Sequence, residues 1–282
     1  MRKGMDFAYQ YELISKSDPI AIMEGVYYYK MQYHSDDSSV SSENRDMTAW
    51  VTVIESDAKV EMKVAAAQWD ETNSASNPVK LYSVSEYAKQ LEQDGYEIVA
   101  ISNAGYFQKS AGTNLPWGVQ IIDGNVLQAP SDAITRWSNN WVGITKEGKY
   151  VISDPAGYKE TYQGNIEYAV GGEAILMKDG VPCYRETIET AKRTFAAVTK
   201  NGDFVILTMT IASAFADMVK PLIDLGMDVK DMINLDGGGS TTLYVMNESG
   251  KLELIYQGEI PERKVIDAIA FVKKKFDGRE GV

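Results

Sequence analysis

The sequence predicts an α+β protein with mixed, mainly antiparallel sheets, several hairpins and two main helices. Five turn dipeptides lie between apolar or alternating runs: Asp123-Gly124, Glu147-Gly148, Asp179-Gly180, Asn201-Gly202 and Ser249-Gly250. Dipeptides of this kind in such a setting favour β-hairpins, which make neighbouring strands antiparallel. Strand and helix patterns do not alternate regularly along the chain, so a doubly wound parallel sheet is not expected.

The two helices are predicted at about residues 81–95 and 214–226. In the first, Ser83 and Glu86 have the spacing of a capping box, and Gly95 suits a left-handed stop. Four apolar residues follow the cap at helical spacing: Val84, Tyr87, Ala88 and Leu91. In the second, Pro221 indicates that the helix begins close before it or kinks there.

The domain organisation is predicted to be a β-rich N-terminal region at 1–80 packed on a main domain at 81–282. No linker between the two is long enough to separate independent domains. A chain of 282 residues buries about three quarters of its unfolded surface, so it needs no covalent staples. We therefore expect one compact structural unit.

The net charge argues against several kinds of partner. Lys and Arg number 28 and Asp and Glu number 40, which gives a formal net charge of -12. Such a surface repels nucleic acid and anionic membranes at long range unless a local basic cleft overrides it. No apolar run is long enough to cross a bilayer, and no signal segment follows Met1. We expect no nucleic-acid partner and no transmembrane segment.

The chain has one cysteine, Cys183, and one histidine, His34. A single cysteine excludes an internal disulfide and a multi-cysteine metal site, and a single histidine excludes two-histidine zinc sites. His34 precedes a Ser- and Asp-rich stretch, so we interpret it as solvated. Carboxylates, arginine, asparagine, serine and backbone amides remain as the chemical groups of a site.

The stretch 236–240 (DGGGS) is the most unusual feature. Three consecutive glycines carry a large entropic cost, which makes sense where backbone approaches something closely or points several N–H groups at an anion. The stretch fits neither the P-loop, nor the dinucleotide-binding fingerprint, nor the nucleophile elbow. A flexible hairpin turn is the alternative interpretation.

Other candidate residues are weaker when taken singly. Asn103 follows an apolar run, and its amide suits sugar hydroxyls, although it equally suits the cap of a turn. Arg193 precedes another apolar run and has the geometry to hold phosphate or carboxylate; the alternative is a surface ion pair. Glu173 follows two glycines and is either a spare carboxylate or a turn residue.

Taken together and in order, these stretches resemble the phosphodiester glycosidase family, in a bacterial-type form. The stretch 103–107 (NAGYF) is similar to the family motif N-[AG]-G-[FY]-F, and 234–240 (NLDGGGS) resembles its most diagnostic signature. Arg193-Thr194 resembles the family's R-T stretch, although Phe195 and Ala197 depart from the usual small residue and glycine after it. Three further positions follow the family pattern: Gly118, the hairpin at 171–180, and Arg263. The resemblance spans about residues 81–273.

The resemblance implies a hydrolase that cleaves the bond between a sugar and a phosphodiester. Arg193 would hold phosphate, Asp236 would act on the sugar side as base, nucleophile or hydroxyl anchor, and Glu173 would be a second carboxylate. The substrate-binding residues would be Asn103, Gly105, Thr194, Gly237, Gly238, Gly239, Ser240 and Arg263, the last as an anion ligand or a structural ion pair. Because the leaving group is a stable phosphate monoester anion, strong acid assistance is less necessary.

Two other classes of function stay open. One is a non-catalytic glycan-binding or cell-envelope interaction module, in which Asp236 and the glycines form a structural turn. The other is a metal-assisted phosphodiesterase with oxygen ligands from Asp236, Asn103 and Glu173. No cofactor is expected, and Ca²⁺ or Mg²⁺ are the possible metals. The expected binding partner is a carbohydrate phosphodiester or glycan substrate. The resemblance favours a periplasmic, cell-envelope or secreted location.

Overall fold

The computed structural model describes residues 10–130, 139–183, 190–212 and 214–275. Within these ranges the chain forms nineteen strands and three short helices. The strands in the first half are β1 Glu12–Lys16, β2 Ile20–Met23, β3 Val26–His34, β4 Asp46–Ile54, β5 Glu61–Ala66, β6 Tyr96–Asn103, β7 Gln120–Ile122, β8 Asn125–Gln128 and β9 Asn140–Thr145. Those in the second half are β10 Tyr150–Ser153, β11 Ile166–Gly172, β12 Ile175–Lys178, β13 Val181–Pro182, β14 Ala191–Thr199, β15 Phe204–Ala212, β16 Val229–Asn234, β17 Thr242–Met246, β18 Leu252–Gln257 and β19 Asp267–Lys274. The helices are α1 Val84–Gln93, α2 Pro155–Gly157 and α3 Phe215–Asp224.

The strands form three sheets, and the described strand pairs are antiparallel. The largest sheet has the order β1-β3-β4-β15-β14-β16-β12-β13, with β2 also paired to β3. A second sheet has the order β10-β9-β11-β7-β8, and a third has the order β18-β17-β6-β19-β5. The mainly antiparallel architecture predicted from the turn dipeptides is confirmed.

Each of the five predicted turn dipeptides joins a hairpin. Their strand pairs are β7–β8, β9–β10, β12–β13, β14–β15 and β17–β18. At the first, Asp123 and Gly124 have φ of 49° and 73°, and at the third, Asp179 and Gly180 have φ of 51° and 74°. Two successive residues at positive φ match the right-handed twist of the strands they connect, which explains the choice of Asp-Gly.

The largest sheet is buried on both faces because successive side chains of a strand point to opposite sides. In β14, Phe195 and Ala197 pack in the apolar cluster that contains Met218 of α3. The alternate residues Ala196 and Val198 pack in the central cluster, which also receives side chains from the second and third sheets. Because both faces of β14 are buried, its sequence does not alternate between apolar and polar residues.

Both predicted helices are confirmed within their predicted ranges, but they are minor parts of the fold. α1 covers the outer face of the third sheet with Val84, Tyr87 and Leu91, while α3 covers the outer face of the largest sheet. α3 contains Pro221 seven positions into the helix rather than beginning just before it. No described helix is long and apolar enough to cross a membrane.

Strands from both sides of residue 80 share the same sheets. β4 pairs with β15 through neighbours such as Val53 and Val205, and β5 pairs with β19 through Val64 and Ile269. The N-terminal strands therefore complete two sheets of the rest of the chain.

The start of α1 has the predicted capping box. The Glu86 amide donates to Ser83 Oγ at 3.2 Å, and the Ser83 amide donates to Glu86 Oε2 at 2.7 Å. We expect Ser83→Ala to lower the free energy of unfolding by about 1 kcal/mol, because it leaves an amide of the first turn without its acceptor. Urea unfolding measures this loss, and the exposed Ser110, changed to alanine, is the control. Equal stability of the two variants would contradict the role of the cap.

Candidate active site

The candidate active site lies where strands of all three sheets end or begin. β6 of the third sheet ends at Asn103, and β16 of the largest sheet ends at Asn234. The neighbouring strand β14 carries Arg193 and Thr194 near its start, and β11 of the second sheet ends just before Glu173. Residues far apart in sequence therefore meet at one edge of the core.

Asn103 ties these strands together. It is 0% exposed, and its Oδ1 accepts hydrogen bonds from Thr194 Oγ1 at 2.9 Å and the Thr242 amide at 3.0 Å. Its Nδ2 donates to the backbone carbonyl of Asp236 at 2.6 Å, while the Asp236 amide donates to the Ala104 carbonyl at 2.9 Å. The side chain expected to bind a sugar hydroxyl is thus engaged within the protein, as is the Thr194 hydroxyl.

Asp236, two residues after the end of β16, comes close to Arg193 of the neighbouring strand β14. The Leu235 amide donates to the Thr194 carbonyl at 2.9 Å, so the residues on either side of this bond face each other. Arg193 is only 7% exposed. A cation and a carboxylate from separate parts of the sequence are therefore brought to the same place by strand register.

Glu173 and Tyr106 complete this cluster, with Asn234 holding both. Asn234 Nδ2 donates to Tyr106 Oη at 2.8 Å and to Glu173 Oε2 at 2.7 Å, and Tyr106 Oη donates to the same Glu173 oxygen at 3.1 Å. The Glu173 amide donates to the Asn234 carbonyl at 2.8 Å. Backbone and side chain of Glu173 are thus both fixed to the end of β16.

The Tyr106 phenol lies among the charged groups of the site, where it donates to Glu173 and accepts from Asn234. Burial raises its pKa well above the usual value, the carboxylates of Glu173 and Asp236 raise it further, and Arg193 lowers it. One phenol thus senses all three predicted catalytic residues. The structure therefore brings Asp236, Arg193 and Glu173 into a single site.

Asp236 has a strongly perturbed carboxyl group. Burial raises the pKa of Asp236 to about 6, and the negative charge of Asp267 acts in the same direction. The Ser240 hydroxyl, the Gly237 amide and the charge of Arg263 oppose this rise in the pKa. The Gly237 amide donates to Asp236 Oδ1 at 2.9 Å. A carboxyl group titrating near neutral pH in a cluster of charged groups is typical of functional sites.

The glycine-rich turn is a compact one-turn segment at Gly238–Ser240 with 3₁₀ geometry. A Cβ at Gly237 would lie 2.6 Å from the Lys192 carbonyl oxygen, so no other residue fits against β14 there. Gly238 has a φ of 60°, in the left-handed region that favours glycine. The Ser240 amide donates to the Gly237 carbonyl at 3.1 Å. Close backbone approach explains these glycines.

Arg263 lies over the same turn in an ion pair with Glu259. Arg263 Nε donates to Glu259 Oε2 at 2.6 Å, and both side chains occupy the space that a Cβ at Gly239 would fill. Of the two roles left open by the sequence, the structure shows the ion pair. The guanidinium also acts electrostatically on Asp236, so it remains part of the site.

Gly105 occupies a position with little space for a side chain. Its amide donates to Asp267 Oδ1 at 2.6 Å, and a Cβ would lie 3.0 Å from both oxygens of that carboxylate. Three members of the site were missed as functional residues in the sequence: Tyr106, Asn234 and Asp267. The first two lie inside the quoted family motifs, and the third is an aspartate in an otherwise apolar run, which was a usable signal because buried carboxylates are rare.

Within the described ranges, no group of three or more His, Cys, Asp or Glu side chains is arranged to hold a metal ion. Two of the three oxygen donors considered from the sequence are also engaged: Asn103 Oδ1 by Thr194 and Thr242, and Glu173 Oε2 by Asn234.

The solved structures that share this fold include the following three. The catalytic domain of zebrafish N-acetylglucosamine-1-phosphodiester α-N-acetylglucosaminidase, auto-inhibited by its pro-peptide, aligns over 93% of this chain and 88% of its own, with a TM-score of 0.63 and 17% identity. A Synechocystis protein aligns over 90% of this chain and 63% of its own, with a TM-score of 0.59 and 12% identity. A Burkholderia pseudomallei protein described as exported aligns over 92% and 97%, with a TM-score of 0.59 and 10% identity.

Sequence comparison with curated proteins gives no match. The phosphodiester glycosidase family model matches residues 96–272, which is more than half of the chain. The matched range runs from the start of β6 into β19 and includes the residues that converge in the site: Asn103, Glu173, Arg193, Asp236 and Arg263. The chain belongs to the phosphodiester glycosidase family.

Proposed function

We propose that this protein hydrolyses the bond between the anomeric carbon of a sugar and a phosphodiester group. The observation that carries the proposal is that Arg193, Asp236 and Glu173 meet where β14, β16 and β11 come together, with Glu173 bonded to Tyr106 and Asn234 and the Leu235 amide bonded to the Thr194 carbonyl. An anion-binding group beside two carboxylates matches the two needs of the reaction, which are to hold the departing phosphate and to act at the sugar. Family membership supports the same reaction type.

The phosphate side of the site is assigned to Arg193 and the glycine-rich turn. A buried guanidinium forms strong charge-assisted hydrogen bonds with phosphate oxygens, because the site excludes competing water. The amides of Gly237 and Ser240 already donate within the protein, so we assign the anion to the amides of Gly238 and Gly239. These groups stabilise the negative charge that grows on the leaving phosphate.

The sugar side is assigned to the two carboxylates. With a pKa of about 6, Asp236 is ionised at neutral pH and close to the range that suits a general base or nucleophile. Glu173 is the second carboxylate, and its contacts with Tyr106 and Asn234 fix its orientation. Because the leaving group is already a stable anion, neither carboxylate has to supply a strong acid.

Asn103 takes a positioning role in this proposal. Its hydrogen-bonding atoms hold Thr194, Thr242 and the Asp236 backbone, so we assign it to fixing Asp236 rather than to contacting a sugar hydroxyl. The periplasmic, cell-envelope or secreted location is part of the proposal too, and one structural neighbour is described as exported.

The central test is hydrolysis of a panel of sugar 1-phosphodiesters, including nucleotide sugars, with products identified by NMR. We expect Asp236→Asn, Arg193→Ala and Glu173→Gln each to lower kcat by about 10²–10³-fold, since each removes a charged group from the reacting centre. Asp217→Asn in α3 is the matched control for a buried aspartate, and Arg45→Ala is the control for an arginine. Full turnover by both Asp236→Asn and Arg193→Ala would refute the assignment.

The same assay separates the alternative functions. Retention of sugar phosphates without release of free sugar or phosphate would identify a glycan-binding module. Activity that is lost in chelator and restored by Ca²⁺ or Mg²⁺ would identify metal-assisted chemistry.

The pH dependence of catalysis follows from Asp236. We expect kcat/KM to fall on the acid side with a midpoint at about pH 6, because the free enzyme must have this carboxyl group ionised. Initial rates between pH 4 and 9 measure the profile. An acid limb near pH 4, the range of an ordinary carboxyl group, would contradict the role of Asp236.

The same pKa predicts a conflict between stability and function. Because the folded-state pKa of Asp236 is raised above its unfolded value, its ionised form destabilises the fold, fully above about pH 6 and not below about pH 4. We therefore expect Asp236→Asn to raise the free energy of unfolding by about 1–3 kcal/mol at pH 7, with the gain vanishing as the pH falls to about 4. Thermal unfolding of both proteins across this range measures the difference, and a variant less stable at pH 7 would contradict it.

A further inference from the structure

Asp267 is a buried carboxylate to which the proposed reaction assigns no role. It begins β19, is 1% exposed, and is followed in the strand by five buried apolar residues. A carboxylate withdrawn from water costs several kcal/mol unless hydrogen bonds or charges compensate. Its presence in an apolar strand beside the site calls for a specific contact.

Two hydrogen bonds hold Asp267, and a third extends this chain of contacts to Trp69. Its Oδ1 accepts from the Gly105 amide at 2.6 Å, and its Oδ2 accepts from Gln120 Nε2 at 3.0 Å. Gln120 Oε1 in turn accepts from Trp69 Nε1 at 2.6 Å. Gln120 is 0% exposed, so this chain of donors and acceptors is fixed inside the protein.

Gly105 lies in the middle of residues 103–107, a segment that supports both proposed catalytic carboxylates. On one side, Asn103 and the Ala104 carbonyl hold the backbone of Asp236. On the other side, Tyr106 donates to Glu173. A shift of this segment would therefore move the supports of both carboxylates together.

Asp267 lies close to Asp236, because it accepts from the Gly105 amide while the carbonyl of the preceding residue, Ala104, accepts from the Asp236 amide. Negative charge on Asp267 from β19 raises the pKa of Asp236, whereas Arg263 lowers it. Two other elements also contribute charged groups to this cluster: Arg193 from β14 and Glu173 from the residue after β11. Together with Asp236, they change the pKa of the Tyr106 phenol. Because Asp267 is buried, its interaction with Asp236 is less screened by solvent than one between surface charges.

We propose that Asp267 is a positioning residue of this site, which anchors residues 103–107 through the Gly105 amide and sets a second negative charge behind Asp236. Its catalytic consequence rests on the proposed function, whereas the anchoring and the charge coupling do not. Asp267 accepts hydrogen bonds from Gly105 and Gln120, so it acts on the two catalytic carboxylates through residues 103–107 and through its charge.

The test begins with Asp267→Asn. The substitution keeps the size of the side chain and an acceptor for Gly105, removes the charge, and turns an amide donor toward Gln120 Nε2. In substrate-free protein we expect the pKa of Asp236 to fall below its parent value of about 6. Carboxyl ¹³C shifts measure this, with the Asp236 signal identified by its absence in Asp236→Asn. We also expect kcat to fall by about 10–100-fold and the acid limb of kcat/KM to move to lower pH.

A double variant separates geometry from charge. In Asp267→Asn/Gln120→Glu the new carboxylate at position 120 accepts from both the new amide and Trp69 Nε1, so the hydrogen-bond chain is restored with the charge displaced. We expect this variant to regain most of the kcat lost in the single variant. It also supplies a folded protein for both readouts if the donor clash in the single variant prevents folding.

Asp217→Asn is the control, because Asp217 is likewise buried and accepts from the amides of Gln10 and Tyr11, but lies in α3. It should leave the pKa of Asp236 and the acid limb unchanged. The proposal would be overturned if the pKa of Asp236 stayed unchanged in folded protein that lacks the charge at position 267. It would also be overturned if the folded double variant were no faster than the single variant. A lowered Asp236 pKa together with no hydrolysis even by the parent protein would reject the proposed function and leave the coupling supported.

Discussion

The hydrogen bonds of Asn103 are the constraint on which the rest of the site depends. One buried amide joins the end of β6 to β14 and β17 and holds the backbone of Asp236. Both its donor and its acceptor are used, so a substitution would leave several buried polar groups without partners. The residue fixes the distance between two sheets at the point where chemistry is proposed.

The site concentrates ionisable groups that the fold would otherwise keep apart. Asp267 is buried and Asp236 is half-buried, and desolvation raises the pKa of each to about 6. Arg193 and Arg263 supply the opposing charge. Such an arrangement is unfavourable for stability, because interactions between like charges strengthen where solvent is excluded, and it is typical of functional sites.

The glycines of the site let these charged segments pack close together, because they have no side chain at the points of contact. Gly237 lies against the Lys192 carbonyl of β14, Gly105 against the Asp267 carboxylate, and Gly239 beneath the Arg263–Glu259 pair. The entropic cost of three successive glycines is thus explained by close contacts at Gly237 and Gly239 and by the left-handed conformation of Gly238.

The sequence by itself determined the local structure: five hairpins, the capping box of α1 and the position of α3, since each depends on neighbouring residues and their periodicity. It also identified the family, because the 103–107 and 234–240 motifs are contiguous. Only the tertiary structure decided which polar groups are already engaged. The amide of Asn103 could bind a sugar hydroxyl, but it is already hydrogen-bonded to Thr194, Asp236 and Thr242. These residues lie 91, 133 and 139 positions further along the sequence. The roles of Asn234 and Asp267 likewise depend on strand register and on contacts between sheets, which no local pattern encodes.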